Sequence, residues 1–429
     1  MNIIEQGRAF LQSLGALAGR TVWDWRRCPH CGDNHTTKWG FYPRRPWFFG
    51  GRRHVSVQRH WCKSCCRTYS EESAWLVRGS WYAREVHRSA IDHWQHLGTS
   101  FRRTAEVLRS WLGHQERFLL WRPLHQRPAE REHCYLSAST VHRWTDRAGK
   151  VAQASIGGQL SGVDCSGTVG VDGLWARLRG GAKRVVLQVV DNVSGLIWPP
   201  VVVEGEESEA SWQRLFEQAQ KAGLVIEALR GVTSDGARGL LSYLRNSLGW
   251  VGRQRCIWHV WRSLGREVGR ATTKAVEGLV EEVAGPLREQ VRAELLALVR
   301  AVINAASYTA GEQALAALRE HPQGARIWRL LNERLDQILM HLVDYYAGLQ
   351  RVAPEWCWRD FRLRLSRGRN HGSATRLERA ALVWAIYHNF TPAQHRSERK
   401  RHYRRPGQSA LQVAGVPPGK VSYLDALRV

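Results

Sequence analysis

The chain has 429 residues, enough for two or three domains with at least one sizeable hydrophobic core. Its 63 Lys and Arg residues against 38 Asp and Glu residues give a net charge of +25, and a hydrophobic content of 43% excludes a wholly disordered chain. No apolar run approaches the roughly 20 residues that a membrane span needs. The start lacks the pattern of a signal peptide, and nine cysteines argue against a secreted disulfide scaffold. We therefore expect a cytoplasmic protein with no membrane partner.

The positive charge is distributed unevenly along the chain. The net charge is +13 over residues 1–150, +1 over residues 151–350 and +11 over residues 351–429. Two strongly basic flanks around a near-neutral middle indicate a polyanionic partner, most simply nucleic acid, that both ends contact. The alternative is a solvated arginine-rich surface produced by compositional bias, since only 8 of the 63 basic residues are lysines.

Two Cys-x2-Cys pairs lie near the amino terminus. Cys28 and Cys31 form the first pair, and Cys62 and Cys65 form the second, with 30 residues and a strand-like segment between them. Four thiolates complete a tetrahedral Zn²⁺ site, so the spacing predicts a zinc ribbon whose metal is structural, because no ligand position is left for a substrate. The alternative is two unrelated pairs of buried thiols. Cys66 could replace Cys65 as a ligand.

Residues 81–150 show helical spacing of their apolar positions. Ser100 can cap one helix, and Ser137 or Ser139 can cap a later one that carries small polar and arginine side chains, as a helix-turn-helix recognition helix does. About 27 residues separate the two helices, which we interpret as a loop inserted into the turn. The alternative is an ordinary basic helical bundle. The side chains expected to contact DNA are Thr140, His142, Arg143 and Arg147.

An α/β pattern follows in residues 160–260. Three strand-like segments precede a helix, then a short fourth strand and another helix, which is the element order of a ribonuclease-H-like domain. The predicted strands are 167–178, 183–190, 196–203 and 231–237, and the predicted helices are 206–223 and 238–248.

Two aspartates lie in neighbouring strands of this predicted sheet. Asp172 lies within the first strand and Asp235 ends the fourth, and these two strands are adjacent in that element order. Adjacent carboxylates repel each other unless a cation holds them, so the pair predicts a magnesium site. Each aspartate also precedes a glycine and could instead belong to a turn.

Several segments resemble the catalytic core of bacterial insertion-sequence transposases of the DDE type, in particular the Mutator-like groups and relatives with an amino-terminal zinc ribbon. The resemblance covers the zinc ribbon, the helix-turn-helix and the catalytic region, which together make up most of the chain. Its most specific parts are the Ser-Asp-Gly-Ala stretch around Asp235 and the Cys-x2-His that follows about 20 residues later. The segments are Val169–Gly173, Val190–Gly195, Ser234–Leu240 and Cys256–His259.

The resemblance implies a third acidic residue after a helical insertion, for which residues 261–350 fit. Glu355 matches it, and Arg362 takes the place of the family's basic residue seven positions later, which would steady the scissile phosphate. The residues just before Glu355 depart from the family pattern, so Glu378 is the alternative. Glu355 could also be a carboxylate that opens a helix after Pro354.

The resemblance further implies that Asp172, Asp235 and Glu355 hold two Mg²⁺ (or Mn²⁺) ions for in-line phosphoryl transfer, with water or a DNA 3′-hydroxyl as the nucleophile. By the same resemblance Cys256 and His259 belong to the catalytic domain. Judged from the residues alone, they are more often a packed thiol and a satisfied histidine than a metal pair.

The function implied is a transposase that binds double-stranded DNA, namely the terminal inverted repeats of the element and the target. Bringing two ends together requires a homodimer or a higher oligomer, and the protein would be associated with the nucleoid. A non-catalytic zinc-ribbon regulator, or a nuclease or resolvase of the same fold, are the alternatives. DNA would also contact Arg399, Lys400 and Arg401. The predicted domains are the zinc ribbon 1–80, the helix-turn-helix 81–150, the core 160–260 and 351–395, the insertion 261–350 and a basic tail 396–429.

Overall fold

The structure is a computed structural model of the whole chain. It describes residues 27–71, 75–112, 136–367, 371–392, 407–416, 419 and 421–429. The predicted DNA contacts Arg399, Lys400 and Arg401 lie outside these residues.

The amino-terminal part is a small antiparallel sheet with the strand order β1-β4-β5. Its central strand is the one that the alternating sequence predicted, and a two-stranded ribbon of β2 and β3 lies between β1 and β4 in the chain. Apolar side chains of Phe48, Val57, Leu76 and Ala83 connect the sheet to the helices that follow. The strands are β1 (Thr36–Arg44), β2 (Trp47–Phe48), β3 (Gly51–Arg52), β4 (Val55–Cys62) and β5 (Arg67–Ser70).

Three helices follow, α1 (Arg84–Gln95), α2 (Phe101–Trp111) and α3 (Ala138–Gln159). The predicted caps are confirmed, because the Ser100 side chain accepts a hydrogen bond from the Arg103 N–H and the Ser137 side chain accepts one from the Thr140 N–H. These bonds satisfy backbone donors that a helix start leaves without partners.

A five-stranded mixed sheet forms the centre of the molecule, in the order β10-β9-β6-β7-β8. β6, β7 and β8 pair antiparallel as a meander, and β9 pairs parallel with β6. The predicted adjacency of the first and fourth strands is therefore confirmed. The strands are β6 (Thr168–Arg177), β7 (Lys183–Asp191), β8 (Val201–Glu204), β9 (Gly231–Ser234) and β10 (Gly252–Arg255).

Two details of this sheet differ from the sequence prediction. The third strand begins at Val201 rather than at residue 196, because Pro199 and Pro200 lack a backbone N–H and interrupt the ladder, although Ile197 still forms an isolated bridge with Val190 of β7. A fifth strand, β10, pairs parallel with β9. It was missed because its sequence, Gly-Arg-Gln-Arg, lacks an apolar alternation.

Helices cover both the sheet and the amino-terminal helices. α12 is apolar over most of its surface, with Leu377, Trp384 and Phe390 buried, and it packs against α3 and β8. A helix that is apolar all round belongs inside a protein core, and α12 lies there. These helices are α4 (Glu209–Lys221), α5 (Arg238–Ser247), α11 (Glu355–Arg367) and α12 (Ala374–Phe390), with a 3-10 turn at Ile226–Ala228.

The stretch between β10 and α11 is helical and has its own hydrophobic cluster, from Ile257 to Leu339. Among its residues, Leu295, Val302 and Ile338 are fully buried. The helices are α6 (Ile257–Ala275), α7 (Glu281–Ile303), α8 (Tyr308–Glu320), α9 (Ala325–Asn332) and α10 (Leu335–Leu339), followed by 3-10 turns at Met340–Leu342 and Asp344–Tyr346.

α3 extends past residue 150, where the sequence predicted the end of the helix-turn-helix domain. It continues to Gln159, and its residues Ala148, Ala152 and Ile156 belong to the same hydrophobic cluster as the central sheet.

The carboxyl-terminal segment, predicted as a basic tail, includes two short helices packed on this core, α13 (Ala410–Val413) and α14 (Tyr423–Ala426). Arg88 of α1 pairs with Asp425 at 2.7 Å, and the Tyr423 hydroxyl donates to Asp92 at 2.6 Å. Burial of Leu411 and Leu427 accounts for this docking. Over the described ranges, the helices are all too short or too polar to cross a bilayer.

Candidate metal and catalytic sites

The four predicted zinc ligands come together in the amino-terminal sheet. The sulfurs of Cys28 and Cys65 are 3.6 Å apart, as are those of Cys31 and Cys62. Tetrahedral zinc with bonds of about 2.3 Å to sulfur places its ligands about 3.8 Å apart, so the spacing fits Zn²⁺. Within the described part of the chain, these cysteines are the one group of three or more Cys, His, Asp and Glu residues whose ligand atoms all lie within 4.8 Å of one another.

The turn geometry of the first knuckle explains why both its sulfurs face the site. The N–H of His30 lies 3.4 Å from the Cys28 sulfur, and Gly32 adopts a φ of +77°, which closes the turn. Cys66 lies outside the cluster, with its thiol 3.7 Å from the Lys63 carbonyl. Cys65 is therefore the fourth member of the cluster.

The thiols do not ionise equally. The backbone N–H of Cys65 lowers the pKa of Cys62 to about 7, whereas burial and the neighbouring thiols raise the pKa of Cys65 to about 12. A bound cation is what would allow all four sulfurs to be thiolates at once.

The two predicted aspartates lie at the same edge of the central sheet. β6 and β9 pair through Gly170 and Thr233, and continuing that register by two residues brings Asp172 across from Asp235. Asp172 is 6% exposed. Burial raises its pKa well above the ordinary value, and the carboxylates of Glu355 and Asp235 raise it further.

The backbone of Asp235 is held in a tight turn. Its carboxylate accepts a hydrogen bond from the Ala237 N–H at 2.9 Å, and Gly236 has a φ of +81°. The guanidinium of Arg255, at the end of β10, covers Gly236 and attracts the Asp235 carboxylate. The sequence reading missed Arg255 because the strand that carries it was not recognised.

Glu355 begins α11 and is held by residues of the Cys-x2-His segment. The Nε2 atom of His259 lies 3.1 Å from the Glu355 carboxylate, and both side chains are about three-quarters buried. The Ala353 N–H donates to the Cys256 sulfur at 3.3 Å, and the Cys256 N–H donates to the carbonyl of Ser234 at 2.7 Å. Cys256 thus connects the strand before Asp235 to the chain before Glu355.

Glu207 is a fourth carboxylate that the sequence reading missed. It adds to the repulsion that raises the pKa of Asp172. Its own pKa is raised to about 7 by burial and by Asp235, and the nearby Trp175 side chain partly opposes that rise. Gly173 leaves the space for it, because a Cβ there would lie 2.6 Å from the Glu207 carboxylate.

Glu378, the alternative third acid, lies elsewhere. Its carboxylate is 3.4 Å from the N–H of Val202 on β8 and 3.6 Å from Arg214. β8 is two strands away from β6 in the sheet. Arg362 is exposed on α11, seven residues after Glu355 and therefore on nearly the same helix face.

The four predicted base-contacting residues do not share one face of α3. Arg143 and Arg147 are exposed, and the Arg143 guanidinium donates to the Thr140 hydroxyl at 3.2 Å. His142 is turned toward the protein instead, with its ring 5.2 Å from that of Phe101.

The fold and the candidate metal ligands together define a mixed α/β protein. It has a four-cysteine cluster in its small sheet, and acidic residues gather where β6 and β9 of the central sheet lie side by side. Residues 200–347 match the family model described as "Transposase, Mutator family". The match covers about a third of the chain and confirms the resemblance found in the sequence for that region. It includes Asp235, Cys256 and His259, while Asp172 and Glu355 lie outside it. No curated protein matches the chain.

Proposed function

We propose that the protein is a DDE transposase, which binds insertion-sequence ends and performs metal-dependent DNA cleavage and strand transfer by in-line phosphoryl transfer. The observation that carries the proposal is the environment of Asp172. This buried carboxylate interacts with Asp235 and Glu355, which come from distant parts of the chain. Such an arrangement of like charges is costly unless a cation is bound, so it favours a catalytic over a structural role.

The donor set fits Mg²⁺ or Mn²⁺, because these ions prefer carboxylate oxygens. The three carboxylates are spaced more widely than the zinc cysteines. That spacing suits Mg²⁺, which usually keeps waters and binds substrate phosphates as well as one or two carboxylates. Two such ions would activate water or a DNA 3′-hydroxyl and stabilise the leaving oxygen.

The protein's own residues would hold this site in shape. His259 fixes the Glu355 carboxylate, and Cys256 fixes the backbone just before it. Arg362 follows on the same face of α11, where its charge would contact the scissile phosphate. Cys256 and His259 would therefore act as positioning residues rather than as a metal pair.

DNA recognition would use the amino-terminal half. The exposed face of α3 with Thr140, Arg143 and Arg147 offers a small hydroxyl and two guanidinium groups to a DNA groove, as in a helix-turn-helix. The partners would be the terminal inverted repeats and target DNA in the nucleoid, with at least two protomers joining two ends. The strand order supports the assignment of the central sheet as ribonuclease-H-like, and the cysteine cluster supports a zinc ribbon.

The test is cleavage and joining of DNA that contains the element ends, with Mg²⁺ present. Asp172→Asn and Asp235→Asn should reduce both reactions by at least about a hundredfold, since a catalytic metal contributes several kcal/mol to the barrier. Binding of the same DNA should persist. Glu204→Gln is the matched control, because Glu204 is an exposed carboxylate on the same sheet.

Each outcome distinguishes the alternatives. Cleavage and joining at the normal rate in both aspartate variants would refute the proposal. A non-catalytic regulator would bind DNA and keep every activity in these variants. A nuclease or resolvase would need the carboxylates but would never join 3′ ends to a target.

A further inference from the structure

The small sheet of β1, β4 and β5 has two unlike faces. One face lies against the cysteine cluster, and there His60, Cys62 and Tyr69 are buried. The rings of His60 and Tyr69 stack at 5.3 Å. Successive side chains of a strand point to opposite faces, so Arg59 and Trp61 of β4 belong to the other face.

That other face carries an aromatic pair beside a cation. The rings of Trp39 and Trp61 lie 5.4 Å apart at an angle of 32°, and Trp39 is 56% exposed. The Arg59 guanidinium donates to the Thr68 hydroxyl at 3.1 Å, so it is held next to the pair. We call Trp39, Trp61 and Arg59 the tryptophan face.

The charge around the tryptophan face is strongly positive. Residues 27–71 contain nine Lys and Arg residues and two Asp and Glu residues. A cross-strand aromatic pair can stabilise a hairpin without any ligand. A purely structural pair does not explain why the Trp39 ring stays more than half exposed within so basic a surface. A partner with planar, stackable rings and negative charge fits both the exposed ring and the positive charge.

The β1 edge of the sheet is poorly suited to another protein strand. β1 contains a bulge between Lys38 and Phe41, where Gly40 has a φ of +77°. The Gln58 amide on β4 donates to the Gly40 carbonyl at 2.7 Å, which holds the bulge in shape. Bulges of this kind discourage edge-to-edge pairing, so a second copy of the chain is a poor occupant.

We propose that the tryptophan face binds single-stranded DNA by stacking unpaired bases on Trp39, while Arg59 and neighbouring basic residues contact the phosphates. Bases within a duplex are already stacked on one another, whereas unpaired bases expose a π-face that an indole can cover. The inference rests on the proposed function, because strand cleavage at an element end is the source of the unpaired DNA.

The experiment measures binding of the full-length protein to a fluorescein-labelled 20-nucleotide thymidine oligomer by anisotropy, next to a random 20-base-pair duplex. Trp39→Ala should weaken binding of the single strand about tenfold, the order expected for the loss of one stacked base. Trp39→Phe should restore most of the affinity, and binding of the duplex should change less than twofold. Trp250→Ala is the matched control, because Trp250 is also 56% exposed but lies between α5 and β10 and is not part of the small amino-terminal sheet.

The proposal is overturned if Trp39→Ala binds the single strand as tightly as Trp250→Ala does, or if single strand and duplex lose affinity equally. Retained zinc content in Trp39→Ala confirms that the ribbon is folded. A shift of oligomeric state in Trp39→Ala with unchanged DNA binding would assign the face to a second copy and also overturn it. The assay needs no cleavage, so loss of catalysis in Asp172→Asn with intact single-strand binding tests the proposed function separately.

Discussion

The close packing of α3 against α12 at Gly149 gives a sharp stability prediction. Gly149 lies on α3 where that helix crosses α12. A Cβ at this position would lie 2.4 Å from the Arg379 Cβ and 2.9 Å from the Arg379 carbonyl oxygen. Arg379 also bonds Asp146 of α3 at 3.1 Å, so the two helices are joined there by an ion pair. We expect Gly149→Ala to destabilise the protein.

The magnitude follows from the two distances. The atoms in the way are a Cβ and a backbone oxygen, which no side-chain rotation can remove, so the helices must separate by about 1 Å. Overpacking of this kind costs about 1–3 kcal/mol. Alanine gains up to about 1 kcal/mol over glycine in a helix. Subtracting that gain from the overpacking cost leaves a free energy of unfolding lower by up to about 2 kcal/mol.

Urea unfolding followed by circular dichroism measures this change. Gly157→Ala is the control within the same helix, because the atoms nearest its Cβ lie 3.8 Å away and belong to Lys221 and Ala222. That variant should be as stable as the parent or more stable by up to about 1 kcal/mol. Equal unfolding midpoints for Gly149→Ala and Gly157→Ala would show that α3 and α12 do not pack closely at Gly149.

Three further predictions concern the sites. His259→Ala should slow strand cleavage about 10- to 100-fold without weakening DNA binding, because it removes the 3.1 Å contact that positions the Glu355 carboxylate; a single-turnover assay with His259→Gln as the conservative variant measures this, and unchanged rates would contradict it. Cys62→Ser, or a strong chelator, should release one zinc per chain and unfold the ribbon, as metal analysis and tryptophan fluorescence would report; a fold unaffected by chelation would exclude a structural metal. Replacing Arg143 should relax discrimination between element ends and random DNA, whereas neutralising Arg399–Arg401 should weaken binding to all sequences and reduce its salt dependence; equilibrium binding across a salt series separates the two, and identical behaviour would refute the distinction.

The sequence was most informative where the chemistry depends on local spacing. Two Cys-x2-Cys pairs predict a metal cluster, because each knuckle is a short turn whose geometry is set by neighbouring residues. In the structure the four sulfurs lie within 4.8 Å of one another. The meander of β6, β7 and β8 could also be predicted from the sequence, since its strands are consecutive and strongly apolar. The pairing of β6 with β9, which places Asp172 near Asp235, followed from the order of elements.

Tertiary structure decided what depends on residues distant in the chain. Nothing local in the sequence marks Glu207 as a neighbour of Asp172, because Glu207 lies between β8 and α4 and meets β6 only in the folded chain, beside Gly173. The polar strand β10, which positions Arg255, has no apolar pattern of its own and forms only because β9 offers it an edge.

The limits of the helical and carboxyl-terminal segments were also decided by packing. α3 continues past the expected boundary because Ala152 and Ile156 find apolar partners, and the basic carboxyl-terminal segment docks through Leu411 and Leu427. Charge and periodicity are properties of a segment alone. Burial depends on which surfaces the rest of the chain presents, so in this protein the helix limits and the docked carboxyl terminus are determined by tertiary contacts.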